Sequence, residues 1–353
     1  MQAPAPEPLR SLAELVADPE RQFVGYACVR GLQHGRTRQG RPFVDLTLAD
    51  SSRVVAGKVW DDAPEAMDAA RSLARGTVVK FLGRAELYQG ALQVGVRKLR
   101  AVTPGEVDLS TILGDGYGPV ADVLCRTLVF DIETVPGMPA NELPESIGAQ
   151  LQRFAKDDPG AADLARSLSP LLARVVSLAF ADGEAGPDAD AVTVLAVPPP
   201  GCSREPSDYP PWLRPVDEVG LLQAFWVLAS HADVVVSYNG RNFDVPFLVA
   251  RSLVQKVAAR VDLLGNPYSL RPHLDLYRLL QPGRALGPSG LEVVCWALGI
   301  ESPKGALDGA QVGPAYARGE IEAIARYNRG DVLATVSVYQ RVRDGILRHR
   351  QDW

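Results

Sequence analysis

The stretch "RTLVFDIETV" (126–135) sets two acidic residues into an otherwise apolar run. Its Leu, Val, Phe and Ile residues predict a buried β-strand. Asp131 and Glu133 are two residues apart, so a strand places both carboxylates on the same face. Side by side in a protein interior, two carboxylates repel each other and lose their hydration. This strand therefore needs a compensating cation, unless both acids reach water at its end.

Beyond this strand, predicted strands and helices alternate, which indicates an α/β sheet with helices on its faces. "RVVSLAFADG" (174–183) and "AVTVLAVP" (191–198) predict a hairpin, and "DVVVSYNG" (233–240) predicts a buried strand. The Pro-rich segment 198–215 holds seven prolines, and we expect a surface loop there and not a strand. Helices are predicted over residues 143–170, 216–231, 244–258, 289–298 and 319–345.

A third acid follows the strand that ends at Asn239 and Gly240, in "VVVSYNGRNFDVPFL". Asp244 opens a predicted helix that has Pro246 in its first turn. Acids and prolines are both favoured there, so a helix N-cap is one explanation of Asp244. The other explanation is functional, because α/β proteins place their sites at the carboxyl ends of sheet strands.

The stretch "YNRGD", from Tyr327 to Asp331, lies inside the last predicted helix. Residues four apart are neighbours on one helical face. With Asp131, Glu133 and Asp244, Asp331 makes a set of four acids that come from three separate elements. Carboxylate oxygens suit Mg²⁺ or Mn²⁺ better than zinc. A pair of such ions can stabilise the attacking and leaving oxygens when a phosphodiester is hydrolysed.

Three motifs, "DIET", "NGRNFD" and Tyr-x3-Asp, together resemble the DEDD 3′–5′ exonuclease superfamily in its tyrosine-containing branch, over roughly residues 125–345. The longer stretches "LVFDIETVP", "SYNGRNFDVPFL", "HLDLYRLL", "LGIESPKGALDGAQV" and "EIEAIARYNRGDVLAT" resemble a bacterial group related to the proofreading exonuclease domain of family-B DNA polymerases. The resemblance implies a ribonuclease H-like fold, in which a mixed five-stranded sheet carries helices on both faces. It also implies hydrolysis from the 3′ end.

The resemblance implies roles for five residues. Asp131 would bridge two divalent metal ions. Glu133 and Asp331 would hold the ion that activates water, and Asp244 would hold the second ion. Tyr327 would orient the attacking water or accept its hydrogen bond.

Other residues near these motifs are candidates for substrate binding or support. We expect Thr134, Asn239 and Lys304 to contact the substrate, although an exposed loop lysine also explains Lys304. Asn328 stands where relatives often have a small residue or a cysteine, at a position that does not bind metal. Asp275, in "HLDLYRLL", either supports the site from behind or is an ordinary acid at a helix N-terminus.

The N-terminal part has a different pattern. Residues 22–103 predict five short strands with a helix before the fourth, which suits a small barrel of the oligonucleotide/oligosaccharide-binding (OB) fold. "GRPFVDLTLADSSRVVAGKVWDD" (40–62) also resembles the second and third strands of nucleic-acid-binding barrels of that family. We therefore expect an OB-fold domain over 10–103, a turn-rich linker over 104–122 and the exonuclease domain over 123–350.

Charge is distributed unevenly between these parts. Residues 1–103 carry 15 Lys and Arg against 11 Asp and Glu, whereas the rest carries 22 against 31. A basic barrel could hold a single strand electrostatically and through base stacking. The candidate contacts are Arg36, Arg38, Arg41, Lys58 and Trp60. Phe43 and Trp60 could instead fill the barrel interior.

Bulk features exclude several classes of protein. No run of about 18 apolar residues is present to span a membrane, and the N-terminus lacks the basic-then-apolar order of a secretion signal. The four cysteines are far apart and without a CxxC pair, which argues against a zinc site or a disulfide scaffold. We expect a cytoplasmic protein without membrane association.

The leading hypothesis is a two-metal-dependent 3′–5′ exonuclease acting on single-stranded nucleic acid, with DNA favoured over RNA. One alternative is a nucleic-acid-binding adaptor whose nuclease fold is weak or inactive. The other is a ribonuclease H-like endonuclease.

Overall fold

The computed structural model of the chain describes residues 5–351 and 353, except 157, 203, 267, 282–286 and 302–306. The chain divides into two compact units, Met1–Gly118 and Pro119–Trp353. Among the described helices, none is both long and apolar enough to cross a membrane.

The first unit is a closed β-barrel. It contains β1 (Glu7–Pro8), β2 (Asp18–Arg36), β3 (Pro42–Ala49), β4 (Val54–Trp60), α1 (Pro64–Ser72), β5 (Val78–Tyr88), β6 (Ala91–Ala101) and α2 (Leu109–Leu113). The strand order is β1-β2-β3-β4-β6-β5, and β2 also pairs with β5. Because β2 pairs with both β3 and β5, strands β2 to β6 close on themselves. Five closed strands with α1 between the third and the fourth confirm the predicted OB fold.

Period-2 alternation fills this barrel. On β3, Val44, Leu46 and Leu48 are buried in the barrel core. Phe43 and Trp60 lie on the opposite, outer face, and their ring centroids are 5.8 Å apart. The interpretation that Phe43 and Trp60 fill the barrel is therefore wrong, since successive side chains of a strand point to opposite faces.

The second unit is built on a mixed sheet. Its strands are β7 (Thr127–Pro136), β8 (Ala173–Asp182), β9 (Thr193–Ala196), β10 (Leu213–Pro215), β11 (Val234–Ser237) and β12 (His273–Asp275). Their order is β10-β9-β8-β7-β11-β12. β8 runs antiparallel to β7 and β9, while the β7–β11, β11–β12 and β9–β10 pairs are parallel.

Helices cover both faces of this sheet. They are α3 (Glu145–Phe154), α4 (Pro159–Leu168), α5 (Glu218–His231), α6 (Asp244–Val254), α7 (Leu276–Leu280), α8 (Leu291–Leu298), α9 (Val312–Ala317) and α10 (Ile321–Gly345). On one face Phe130 of β7 packs against Phe225 of α5, with ring centroids 5.0 Å apart. On the other, Val129 shares a core with Val332 and Val336 of α10. The predicted ribonuclease H-like arrangement of a mixed sheet between helices is confirmed.

The sheet has six described strands, whereas the resemblance implied five. The sixth, β10, forms at the end of the Pro-rich segment 198–215, where a strand was not expected, so the prediction was wrong for Leu213–Pro215. Leu213 is buried and gives the segment an apolar anchor. β10 pairs with β9 at the edge of the sheet, where the missing N–H of Pro215 interrupts no ladder.

Candidate active site

Strand β7 places two carboxylates beside the last helix. Asp131 and Glu133 share the sheet face of Val129, which packs against α10. Asp331 lies on α10, and one carboxylate oxygen from each of Asp131, Glu133 and Asp331 lies within 4.8 Å of the other two. The pairing of β7 with β8 shifts register directly after Glu133. Such bulges are common next to active sites, where they redirect side chains.

Asp244 lies against the backbone between the first two acids. Its carboxylate is buried, and its Oδ1 accepts a hydrogen bond from the backbone N–H of Ile132 at 3.2 Å. The residue that caps α6 is Phe243, and no side-chain hydrogen bond caps this helix. The N-cap explanation of Asp244 is therefore wrong. Its side chain turns towards β7 and not back onto its own helix.

Gly240 lets the loop after β11 fold tightly over the end of that strand. A Cβ atom at this position would lie 2.3 Å from the hydroxyl oxygen of Ser237 and 3.3 Å from Oδ2 of Asp244. Contacts of the first kind do not occur between real atoms, so the loop requires glycine here. In the "NGRNFD" motif, Gly240 is therefore required because a side chain does not fit there, and Asp244 contributes a carboxylate.

Asn328 is a polar residue inside this cluster whose contact the sequence did not predict. It is fully buried, and its Nδ2 donates a hydrogen bond to Oδ2 of Asp131 at 3.1 Å. It occupies the buried stripe of α10 that includes Ile321, Ala325 and Val332. An amide at a position where helical periodicity places apolar residues was the available signal.

Tyr327 lies one helical turn before Asp331, where its hydroxyl partly offsets the effect of burial on the pKa of that carboxylate. Burial raises the pKa of Tyr327, and the neighbouring charges of Asp331, Glu133 and Asp131 raise it further. The phenol therefore stays protonated at neutral pH and acts as a hydrogen-bond donor beside the acids.

The pKa values of the four acids lie above their usual range. Burial raises the pKa of Asp131 and of Glu133 well above normal, and repulsion from the neighbouring carboxylates adds to it. Burial likewise raises the pKa of Asp244 to about 7 and that of Asp331 to about 6. Within the part of the chain that the structure describes, no lysine or arginine offsets these shifts. An oxygen-only set of mutually repelling donors fits hard divalent cations.

The remaining candidates for substrate binding in the second unit are Thr134, Asn239 and Lys304. The hydroxyl of Thr134 donates a hydrogen bond to the carbonyl of Ser167 at 2.9 Å, so its donor is already used within the protein. Asn239 lies just after β11 in the left-handed region, with φ of 63°. Lys304 falls outside the described residues.

In the first unit, the arginine-bearing turn is largely engaged with its own domain. Arg41 forms a two-pronged ion pair with Asp61, at 2.8 and 2.6 Å. Arg36 donates to the carbonyl of Gly40 at 3.0 Å. Arg38 is exposed. The protein itself therefore supplies partners for two of these three arginines.

Lys58 lies between two aromatic rings on the outer face of the barrel. Its Nζ is 4.0 Å from the ring centroid of Phe43 and 4.9 Å from that of Trp60. The same Nζ forms an ion pair with Asp45 at 2.8 Å. The ring of Phe43 lies so close to Gly35 that a Cβ there would be 2.3 Å from a ring atom. These contacts form an aromatic and cationic platform, of which Trp60 is 36% exposed.

Comparison with known proteins bears on this arrangement. Residues 172–349 match the family described as "Predicted 3'-5' exonuclease related to the exonuclease domain of PolB". The 3'-5' exoribonuclease YhaM of Geobacillus sp. (strain WCH70) is 30% identical over 81 residues, which are 23% of this chain and 24% of that protein. The chain thus spans about a quarter of the length of this relative.

Two solved structures are also similar. The family B DNA polymerase of the archaeon Pyrobaculum calidifontis aligns with 90% of this chain and 46% of its own, at 16% identity and a TM-score of 0.42. The second OB-fold domain of replication protein A from Methanococcus maripaludis aligns with 28% of this chain and 98% of its own, at 15% identity and a TM-score of 0.23. Because the family model covers half of the chain, this chain belongs to the family of 3′–5′ exonucleases related to the exonuclease domain of PolB.

Proposed function

We propose that this protein is a divalent-metal-dependent 3′–5′ exonuclease that shortens single-stranded nucleic acid. The observation that carries the proposal is the convergence of Asp131, Glu133 and Asp331 within 4.8 Å, with buried Asp244 against the same strand. Buried carboxylates that repel one another are typical of functional sites, where a bound cation offsets the repulsion. Family membership supplies the reaction class.

The four acids would hold two divalent ions, Mg²⁺ or Mn²⁺. Asp131 is central, because the charges of Glu133, Asp331 and Asp244 all act on its carboxylate. When bound, the ions would activate water and stabilise the charge that develops on the phosphodiester oxygens. The amide of Asn328 donates a hydrogen bond to one oxygen of Asp131, and this bond would orient the carboxylate that holds an ion.

Tyr327 would position the attacking water. Its hydroxyl stays protonated, so its place on α10 fixes a hydrogen-bond donor beside the acids. A group fixed in this way aligns a nucleophile without changing its own charge.

We further propose that residues 10–103, 104–122 and 123–350 act as a strand-binding domain, a linker and the catalytic domain. The platform of Phe43, Lys58 and Trp60 would stack on bases of the strand. DNA is the favoured substrate because the family is related to the exonuclease domain of a DNA polymerase. RNA is the competing substrate, because YhaM is named an exoribonuclease.

A degradation assay tests the proposal. Matched DNA and RNA oligonucleotides, labelled at the 5′ end and blocked in turn at each terminus, are incubated with Mn²⁺, with Mg²⁺ or with a chelator. We expect a ladder that shortens from the 3′ end, requires a divalent ion and stops when the 3′ end is blocked. Internal cuts would instead support the endonuclease alternative, and binding without cleavage in either metal would support the adaptor.

A further inference from the structure

The turn from β12 into α7 holds the loop that follows β11. Asp275 lies opposite Ser237 in the parallel pairing of these strands, and its carboxylate is buried. Its Oδ1 accepts backbone N–H bonds from Asn239 at 2.9 Å and from Tyr277 at 3.0 Å. Its Oδ2 accepts another from Arg241 at 3.1 Å. Asp275 is thus a helix-capping acid and a support for the neighbouring loop at once.

This support acts where the backbone is strained. Asn239 has a φ of 63°, a region that residues with a side chain rarely adopt. Such conformations persist when the surrounding contacts fix them. The guanidinium of Arg241 adds a second tie, since its Nη2 donates to the carbonyl of His273 at 2.8 Å. The loop backbone is therefore fastened to β12 on both sides of Gly240.

A chain of side-chain hydrogen bonds also fixes the amide of Asn239. Nη2 of Arg278 donates to Oδ1 of Asn242 at 2.8 Å, and Nδ2 of Asn242 donates to Oδ1 of Asn239 at 2.7 Å. A guanidinium has donors and no acceptor, so Arg278 dictates the direction of every bond in the chain. The oxygen of Asn239 is therefore used. Among the described residues none accepts from its Nδ2, which is left to donate elsewhere.

The position of Asn239 gives this free donor a use. Asn239 directly precedes Gly240, where a Cβ would lie 3.3 Å from Oδ2 of Asp244. Asn239 is partly exposed just after the end of β11. A strand whose terminal phosphodiester reached those acids would bring its last nucleotide alongside. The sugar and base of that nucleotide carry hydrogen-bond acceptors.

We propose that Asp275, Asn242 and Arg278 are positioning residues that make Asn239 present an N–H donor to an acceptor of the terminal nucleotide. Asp275 sets the backbone, and the Arg278–Asn242 pair sets the direction of the amide. This inference rests on the exonuclease function proposed above. It assigns a substrate-orienting task to residues other than the four acids.

The test reverses the direction of the chain. In Asn242→Asp the new carboxylate still accepts from Arg278 but cannot donate, so the amide of Asn239 turns and presents its oxygen. We expect the KM for a single-stranded oligonucleotide to rise about tenfold, as for one lost hydrogen bond, with kcat and Tm nearly unchanged. Asn141→Asp, which adds the same charge at an exposed position, should leave KM at the wild-type value.

Two further comparisons separate positioning from a structural role. In an Asn239→Ala background, Asn242→Asp should have no further effect on KM, because residues that act through one group are not additive. Arg278→Lys keeps a partner that only donates and should retain a near-wild-type KM, whereas Arg278→Gln, which can also accept, should not. Additive effects, or equal effects of Lys and Gln, would overturn the inference. A wild-type protein that degrades no strand would instead refute the proposed function.

Discussion

Charged side chains are compensated differently on the outer face of the barrel and in the acidic centre of the second unit, which consists of Asp131, Glu133, Asp244 and Asp331. On the barrel, two of the candidate cations are paired: Arg41 with Asp61, and Lys58 with Asp45. In the second unit, burial raises the pKa of all four acids, repulsion from neighbouring carboxylates adds to it for Asp131 and Glu133, and among the described residues no cationic side chain offsets it. Because Arg41 and Lys58 already have carboxylate partners, aromatic surface is what the platform offers a strand. The four acids have no such partners among the described residues, so metal ions would have to compensate their charges.

This difference shows why charge counts per domain are a weak guide. Residues 1–103 carry a surplus of four positive charges, yet Arg41 and Lys58 already have carboxylate partners. Exposed ion pairs contribute roughly 0–1 kcal/mol each and are screened by salt. The arginine turn, which the sequence marked for phosphate binding, is therefore a weaker candidate than the platform beside it.

The largest expected effect is loss of the central acid. Asp131→Asn removes the shared carboxylate and should lower kcat at least about 1,000-fold, since metal stabilisation is worth several kcal/mol. The assay is the release of nucleotides from a 5′-labelled strand in Mn²⁺, with Mn²⁺ affinity measured by calorimetry. Asp163→Asn, at an exposed position on α4, serves as the control. Full activity in the first variant would mean that the acids are not the catalytic centre.

Loss of the tyrosine hydroxyl should have an intermediate effect. Tyr327→Phe keeps the ring but removes the donor to Asp331, and kcat should fall about 10- to 100-fold because the nucleophile is less well aligned. Mn²⁺ affinity should stay close to that of the wild type, since no ligand is removed. A large fall in Mn²⁺ affinity with unchanged turnover of the loaded protein would instead make Tyr327 part of the ion site.

A third prediction compares the two kinds of residue on the barrel. Trp60→Ala should weaken binding to a single strand about tenfold, because base stacking is worth roughly 1–3 kcal/mol. Arg41→Gln should change affinity by no more than about twofold, since its charge is already neutralised by Asp61. Fluorescence anisotropy with a labelled strand in a chelator measures both. The reverse order of effects would show that charge and not stacking binds the strand.

The smallest effect concerns stability without metal. The pKa values of Asp244 and Asp331 are raised to about 7 and about 6, above those of an unfolded chain, so the folded state binds more protons in this range. The contribution of these groups to stability is complete below their unfolded pKa values and is lost as pH rises through 6 and 7. In a chelator, raising the pH from 5.5 to 8 should cost about 2 kcal/mol.

Differential scanning fluorimetry across this pH range checks that prediction, with an expected fall in Tm of roughly 4–8 °C. Asp244→Asn should flatten the profile, and Mn²⁺ should restore Tm at pH 8. If the Tm of the wild type instead rose steadily towards pH 8 in the chelator, the pKa values of these acids would not be raised in the folded protein.

The sequence predicted most of what depends on local pattern. The run "LVFDIET" predicted strand β7 and the shared face of Asp131 and Glu133, because strand periodicity is a short-range property. The five strands of the barrel were predicted for the same reason. Strand β10 was missed, because an edge strand that contains proline is stabilised by its neighbour β9 and not by its own residues.

Contacts between distant segments could not be predicted in the same way. That Asn328 would bond Asp131, or that Asp275 would hold the backbone of Asn239, depends on the packing of α10 and β12. For Asp275 the sequence left two explanations equal, and the structure shows that both apply. For Asp244 alone the sequence favoured a simple cap, which the structure excludes, because Phe243 caps the helix and Asp244 bonds Ile132.

The mutual repulsion of the four acids has a consequence for the order of events in a cell. If the centre acts as proposed, a strand end that reaches it without ions finds no cation to bind its phosphate. Linkage between two bound species is reciprocal, so ions that admit a strand are in turn retained by it. Scarcity of divalent ions would then silence the nuclease when the strand end reaches the acids, even if the barrel has already bound the strand.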